Sequence, residues 1–232
     1  MPDTLSIDIG GSHVKASVLD ARGRMIHDRV KADTPRDVTP RRLVSIIAAL
    51  AKQLPHFDRI SAGFPGVVRR GVIRTAPNLG SERFAGFDLA HALERKLGAP
   101  ARVINDADMQ GYGAIRGKGV ELVITLGTGF GTALFEDGRL GAHLELAHHT
   151  FHGDSTYEDE LGEAALERKG KRKWNRQLAR AIDSLRALTT FDHLYIGGGN
   201  SRHVTLELPK DVSIVDNAAG ILGGIRVWKY DG

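Results

Sequence analysis

Two segments of this chain are written to one pattern: an apolar strand, a glycine turn, and a second strand running back. The first is TLSIDIGGSHVKASVLD at 4–20 and the second is ELVITLGTGFGTALF at 121–135. Separate copies this far apart are a crude internal duplication rather than a short-period repeat, so the fold must accommodate two similar halves. A glycine turn after an apolar strand lets bare backbone N–H groups approach an anion such as phosphate. A third turn, IGGGN at 196–200, follows HLY, and INDAD at 104–108 lies between the first two turns. One such loop says little, because glycine turns serve many folds. Three in this order, with an Asn-Asp pair among them, suggest a nucleotide held between two halves.

Composition fits that frame. Glycine makes up 28 of the 232 residues, well above the roughly 7% of ordinary proteins. The excess falls in turns after apolar runs, which reads as backbone approach to a ligand rather than disorder. The chain has no cysteine, which excludes a disulfide scaffold and any zinc site built on thiolates. No apolar run approaches the roughly 20 residues that span a bilayer. The first glycine turn is reached by residue 10, so no signal peptide is expected ahead of it. Together these features predict a cytoplasmic protein with no membrane partner. The net charge of +4 permits anionic ligands. Much of the basic excess lies in RKGKRK at 168–173. That run reads either as a solvated connector between two helices or as a docking strip for a long polyanion.

The elements follow from periodicity. Strands are expected at 4–9, 13–20 and 24–32, forming a meander. Thr39 caps a helix with Pro40 at its first position, and Leu43, Val44, Ile46, Ile47, Leu50 and Leu54 keep a helical period. Residues 59–68 return to strand and turn. Asp88 starts a helix that Gly98 ends, and 102–106 is a buried-type strand. In the second half, 121–140 is a hairpin with a further turn at Asp137-Gly138. Helical patterns cover 156–168 and 174–188. Residues 193–200 read as strand into turn, 211–216 as another strand, and 217–230 as a closing helix. Mixed strands and helices with ligand turns at strand ends predict an α/β fold with its site in a crevice. The division expected is an N-terminal domain over 1–105, completed by the C-terminal helix 217–232, and a second α/β domain over 106–216.

Taken together, these segments resemble the sugar kinases of the ROK family (repressors, open reading frames and kinases). DIGGSHVKASVLD looks like that family's first phosphate loop, AGFPGVV and APNL like its sugar-side segment, and LGTGFGTALFEDGRL like its second phosphate loop. The resemblance covers about residues 4 to 228. GFPGVV, APNL, ELAHH and GEAALERKGKRKW look most like the polyphosphate/ATP glucokinase branch. It implies the two-domain actin-like ATPase (ribonuclease H-like) fold with an interdomain active-site cleft, Mg²⁺, ATP or polyphosphate as co-substrate, and a homodimer. Two departures stand out. The family's cysteine-rich zinc motif is absent, as it is in that branch, so no structural zinc is expected. The family's Glu-x-Gly-His segment appears here as Glu145-Leu146-Ala147-His148, which places an extra methyl near the sugar side.

The chemistry then assigns roles. A sugar hydroxyl needs a carboxylate to accept its proton, and Asp106, at the end of an apolar strand, is the candidate base. The plainer alternative is a helix N-cap. Asp8 is the candidate Mg²⁺ ligand, directly or through water. Gly10, Gly11, Ser12 and Lys15 face phosphate oxygens. Gly127, Thr128 and Gly129 offer a second set of amides, or form an ordinary hairpin turn. Gly197, Gly198 and Gly199 would let an adenosine lie against bare backbone, or simply turn the strand into a helix. The resemblance carries sugar-hydroxyl contacts to Asn78, Asn105, Glu145, His148 and Glu158. Glu158 has a rival reading as the last residue of a capping box, Ser155-Thr-Tyr-Glu158. His143, His148, His149 and His152 lack the spacing of a metal cluster.

Three functions are open on these residues: a hexokinase-type kinase acting on the 6-hydroxyl of glucose or a related hexose, a DNA-binding repressor, and a catalytically silent sugar-binding or regulatory protein. The repressor class of the family carries a helix-turn-helix ahead of its first phosphate loop, and only seven residues precede Asp8. No specific nucleic-acid partner is therefore expected, and the intact Asp8, Lys15 and Asp106 favour the kinase.

Overall fold

The computed structural model describes residues 2–216 and 218–229. The chain divides into two compact units, with the boundary after Gly113, and it returns to the first unit from Ala218 onward.

In the first unit, β1 (Thr4–Ile9), β2 (His13–Leu19) and β3 (Val30–Asp33) form the expected meander. Its third strand is shorter than 24–32, and only an isolated bridge from Leu19 to Met25 precedes it. Helix α1 (Pro40–Ala51) starts as its cap predicts, with the Thr39 side chain accepting from the Arg42 N–H. Strand β4 (Arg59–Phe64), a two-rung hairpin of β5 (Val68–Arg69) and β6 (Val72–Ile73), and helices α2 (Ser81–Phe84) and α3 (Leu89–Leu97) follow. Asp88 and Gly98 bracket α3 as expected. Strand β7 (Ala101–Asn105) then runs directly into α4 (Asp106–Ala114). The sheet order is β3-β2-β1-β4-β7, with β4 parallel to both β1 and β7. Leu5, Ile7, Ile9, Ile60, Ala62 and Phe64 are buried in it and pack with the apolar faces of α1 and α3. LSIDI and RISAGF alternate apolar with polar or small residues, yet both faces are buried, since Ser6 and Ser61 on the second face are 0% exposed.

The described part of the closing helix, expected over 217–230, is two short pieces: an α-turn at Ala219–Leu222 and a 3₁₀ run at Gly223–Trp228. Asn217 and Tyr230 lie outside the described residues. This segment is fastened to the first sheet by two buried serines. Ser6 Oγ donates to the Ile221 carbonyl (2.6 Å) and Ser61 Oγ to the Gly224 carbonyl (2.7 Å). Trp228 donates to Ser61 Oγ and lies under the guanidinium groups of Arg59 and Arg102, at 5.2 and 4.6 Å. The approach to α4 is so close that a Cβ on Gly223 would lie 1.8 Å from the Met109 carbonyl oxygen. Helix α4 therefore packs within the first unit, eight residues beyond the division after 105 that the sequence suggested.

The second unit repeats the plan of the first. Its strands β8 (Val120–Leu126), β9 (Phe130–Glu136) and β10 (Arg139–Leu140) are the predicted hairpin and its extension. Asp137 and Gly138 both have positive φ, 48° and 79°, as a tight hairpin turn of this twist requires. Next come β11 (Thr150–His152), β12 (Ser155–Thr156), α5 (Tyr157–Leu161), α6 (Glu163–Thr189), β13 (His193–Gly197) and β14 (Val212–Ile214). The sheet order β10-β9-β8-β13-β14 has the same form as the first: a meander followed by two parallel strands. Leu122, Ile124, Trp174, Leu178 and Leu185 anchor its core. The basic run 168–173 straddles a kink in α6: Gly170, with φ of 71° and ψ of 157°, is non-helical. Two helical stretches meet there as expected, but they join at that one residue rather than through a longer connector. Entry into this unit is held by Glu121, 1% exposed. Its carboxylate accepts from the N–H groups of Arg116, Gly117 and Lys118 and from the Tyr195 hydroxyl. Burial and that carboxylate push the Tyr195 phenol up to about 12.

Candidate active site

In the first unit the site grows from the ends of β1, β2 and β7. Antiparallel pairing sets Asp8 directly opposite Lys15, so both side chains leave the same face of the sheet, with Lys15 Nζ 3.4 Å from Asp8 Oδ2. The turn joining the two strands is tied internally: the Gly10 N–H donates to the His13 carbonyl at 2.9 Å. Thr34, just beyond β3, donates its hydroxyl to the Gly10 carbonyl (2.9 Å) and its N–H to the Ser12 carbonyl (2.8 Å). Among the described residues the Gly11 and Ser12 N–H groups have no protein acceptor. They are therefore the amides this loop can offer an anion, while that of Gly10 closes the turn. Asn78 lies alongside, its Cβ 3.6 Å from where a Cβ on Gly11 would be.

Asp106 is the first residue of α4, and the cap of that helix is its neighbour. Asn105 Oδ1 accepts from the N–H groups of Ala107 (2.8 Å) and Asp108 (3.2 Å), and its Nδ2 donates to the Gly66 carbonyl. A side-chain amide has two N–H donors, so the buried Asn105 retains one for other partners. Asp106 accepts from the Ala107 N–H at 2.9 Å and keeps an exposed portion. Burial chiefly, and then the charge of Asp8, push its carboxyl up to about 7. A carboxylate with that pKa is matched to proton transfer near neutral pH.

In the second unit, the turn between β8 and β9 carries Gly127, Thr128 and Gly129. The Gly127 N–H donates to the Gly129 carbonyl at 3.1 Å, again closing the turn, and the Thr128 and Gly129 N–H groups have no protein acceptor among the described residues. The loop is backed by the start of α6, whose Glu163 N–H donates to the Gly127 carbonyl (2.9 Å), and by Asn200 Nδ2, which donates to the same oxygen (3.1 Å). Gly198, with φ 85°, comes so close that a Cβ there would lie 2.3 Å from the Leu126 carbonyl oxygen. The third glycine turn thus abuts the second, and Gly199 faces open space. Asn200 was not among the expected site residues. Its place in IGGGN was the only signal for it.

The remaining sugar-side candidates lie in the same unit. Glu145 is hydrogen-bonded to His143 Nε2 at 2.8 Å, and that bond holds its carboxyl below the usual range. His148 is exposed and ends a 3₁₀ turn, Leu146–His148. Ala147, which stands where the family has glycine, is 7% exposed and packs in the core of this unit. The capping box is not the expected one: Thr156 caps α5 and Asp159 reciprocates. Ser155 and Thr156 pair as β12 with β11, which keeps the chain extended one residue longer and shifts the box by one. Glu158 is thereby released from the box and half-buried, with its Cγ 3.4 Å from where a Cβ on Gly162 would be; that same position would lie 3.1 Å from the Thr128 carbonyl. Among the described residues no group of three or more His, Asp or Glu is placed to hold a metal ion.

Each unit thus carries a strand-borne turn with free amide N–H groups, and the first unit adds the raised carboxylate of Asp106 and the ammonium of Lys15. The ROK family profile matches residues 4–159. The chain is 30% identical to the polyphosphate glucokinase of Mycobacterium leprae, covering 97% of this chain and 74% of that protein. It is 31% identical to the polyphosphate glucokinase of Mycobacterium tuberculosis H37Rv, over 94% and 88%. The crystal structure of the inorganic polyphosphate/ATP-glucomannokinase of Arthrobacter sp. strain KM superimposes with a TM-score of 0.89 at 28% identity, covering 99% of each chain. A Streptomyces griseus ROK glucokinase, solved with glucose and AMPPNP, shares the fold at a TM-score of 0.80 and 19% identity, over 97% of this chain and 98% of that one. The chain belongs to the ROK family, and its α/β fold is that of the family's actin-like sugar kinases.

Proposed function

We propose that this protein is a hexokinase-type sugar kinase that transfers a phosphoryl group from ATP or polyphosphate to the 6-hydroxyl of glucose or a related hexose. The observation that carries the reading is Asp106, a carboxylate raised to about 7 at the head of α4, in the unit that also holds the Asp8, Lys15 and Gly11-Ser12 loop. The sugar oxygen attacks the terminal phosphorus while its proton passes to Asp106, and the donor departs one phosphoryl group shorter. Asn78, Glu145, His148 and Glu158 bind sugar hydroxyls, with Asn105 steadying the helix that carries the base. Free amides of the two loops and the ammonium of Lys15 offset charge on the transferred group, where phosphoryl transfer needs most help. Mg²⁺ is bound in such enzymes through one or two carboxylates plus substrate phosphates rather than by an all-protein cage. Asp8, with its carboxylate at the strand end beside the loop, fits that role and would supply charge neutralisation. Gly197 to Gly199 accept the adenosine when ATP is the donor. The two compact units serve as the protein's domains. A cytoplasmic setting and a homodimer complete the reading.

For the donor, the course of α6 supports polyphosphate. Lys169 pairs with Glu160, and Arg168 donates to the Asp159 carbonyl. Beyond the break at Gly170, however, Lys171, Arg172, Lys173, Arg176 and Arg180 are exposed. Arg172, Arg176 and Arg180 are four residues apart and share one side of the helix. Lys171 and Arg202 lie near enough to His203 to add to the burial that holds its imidazole below the ordinary value. A long phosphate chain touches several such cations at once, whereas ATP does not.

A coupled assay on a hexose panel, run with Mg²⁺ and each donor, tests the function. Glucose is expected to be turned over best, with mannose or glucosamine next. No turnover of any hexose with either donor would refute it. Neutralising Lys171, Arg172, Lys173 and Arg176 together is expected to raise KM for polyphosphate far more than for ATP, with the polyphosphate effect shrinking as salt is added. Equal, small effects on both donors would make ATP the donor.

A further inference from the structure

The two amide loops are held by the same device, and two residues outside those two loops, Thr34 and Asn200, supply it. In the first loop the carbonyl of the leading glycine, Gly10, accepts from the hydroxyl of Thr34; in the second, the carbonyl of Gly127 accepts from the side-chain amide of Asn200 and from the Glu163 N–H. Thr34 and Asn200 are 7% and 6% exposed, and each reaches its loop from a distant part of its own unit.

The geometry of the peptide bond turns these contacts into aim. A peptide unit is planar, and in the trans form its C=O and N–H point in opposite directions; no cis bond occurs among the described residues. Fixing the Gly10 carbonyl on Thr34 therefore directs the Gly11 N–H away from Thr34. Fixing the Gly127 carbonyl on Asn200 and Glu163 directs the Thr128 N–H away from the backing formed by α6 and the third glycine turn. Those N–H groups are among the ones left without a protein acceptor, and a Cβ on Gly127 would meet nothing within 4 Å. A glycine turn alone would let the peptide flip and put its carbonyl, the wrong charge, toward a phosphate.

We propose that Thr34 and Asn200 are positioning residues for the phosphoryl donor, each locking one peptide so that a single amide, Gly11 in one loop and Thr128 in the other, faces donor phosphate. The inference rests on the kinase reading and adds to it two residues that touch neither sugar nor donor. The test uses Thr34→Val, which keeps shape and removes the hydroxyl, Thr34→Ser, which restores it, and Asn200→Ala. Binding of ATP and of tripolyphosphate is measured by calorimetry, and KM for donor and for glucose by coupled assay, with thermal melts to confirm folding. Thr34→Val and Asn200→Ala are each expected to weaken both donors about tenfold, as loss of one aimed hydrogen bond to a charged group does. KM for glucose should stay within about twofold, and Thr34→Ser should recover donor binding. Donor affinity unchanged in folded Thr34→Val overturns the proposal, as does an equal loss of donor and glucose affinity. Should Asn200→Ala fail to fold, the Thr34 pair decides alone. Wild-type protein that binds neither donor refutes the kinase reading and this inference together, whereas wild-type binding that the variants leave intact refutes only the inference.

Discussion

Two adjacent side chains, Asn105 and Asp106, divide the work that the sequence leaves shared between them. Either can cap a helix, and a string such as INDAD does not say which. The structure gives the cap to Asn105, whose oxygen takes two helix N–H groups, and leaves Asp106 raised to about 7 by burial and by Asp8. Replacing Asp106 with Asn is expected to lower kcat by at least about 10²-fold with little change in KM for sugar, since it removes the base and keeps the shape. Its pH dependence has a definite sign. The folded pKa lies above the ordinary 3.8, so wild-type kcat/KM should climb with pH through about 7 and level off above it. By the same linkage, the group's favourable contribution to folding is present below its unfolded pKa and is lost as pH rises through about 7. Asp106→Asn should therefore melt higher than wild type at pH 8 and no higher at pH 4, which paired thermal scans would check. Motif order exposes Asp8, Lys15 and Asp106. It hides Thr34 and shows Asn200 only as the end of IGGGN, because a hydrogen bond to a carbonyl far along the chain leaves no periodicity to read.

Elements whose signals are local came through in the sequence: the Thr39-Pro40 start of α1, the Asp88 and Gly98 bounds of α3, and the Asp137-Gly138 turn. Where a neighbour intervenes, the local signal misleads. The capping box moved to Thr156 and Asp159 because β12 pairs with β11. The basic run is drawn into two helical stretches that meet at Gly170, the second of which buries Trp174, Leu178 and Leu185 in the core while its cations stay exposed. Glu121 shows the same limit, as a charged residue in a strand with no pattern to mark it, yet it gathers three backbone N–H groups and a phenol. Glu121→Ala would leave three part-buried N–H groups and the buried Tyr195 hydroxyl without that acceptor. It should destabilise the protein by on the order of 3 kcal/mol, measured by chemical denaturation. A melting temperature equal to wild type would show that water replaces the carboxylate.

On the scale of the whole molecule, the duplicated strand–turn–strand segments open two sheets, and both sheets share one plan. What the sequence could not show is how tightly the C-terminal turns are set against α4 and β1, because that contact depends on missing side chains: Gly223 at Met109, and Gly224 where a Cβ would come 2.2 Å from Ser6 Oγ. Gly223→Ala should cost about 1–3 kcal/mol through overpacking. The same change should slow turnover, because the displaced helix carries Asp106; a variant with normal stability and normal kcat would remove that segment's structural role. The arrangement also bears on how the protein is made. The first unit includes residues from Ala218 onward, so on the ribosome its sheet lacks the C-terminal turns that pack on it while the entire second unit is translated. At roughly 5–20 residues per second that interval is on the order of ten seconds. During that time the unit synthesised first, with its apolar Leu5-Ile7-Ile9 strand, is the one a nascent-chain chaperone would have to guard.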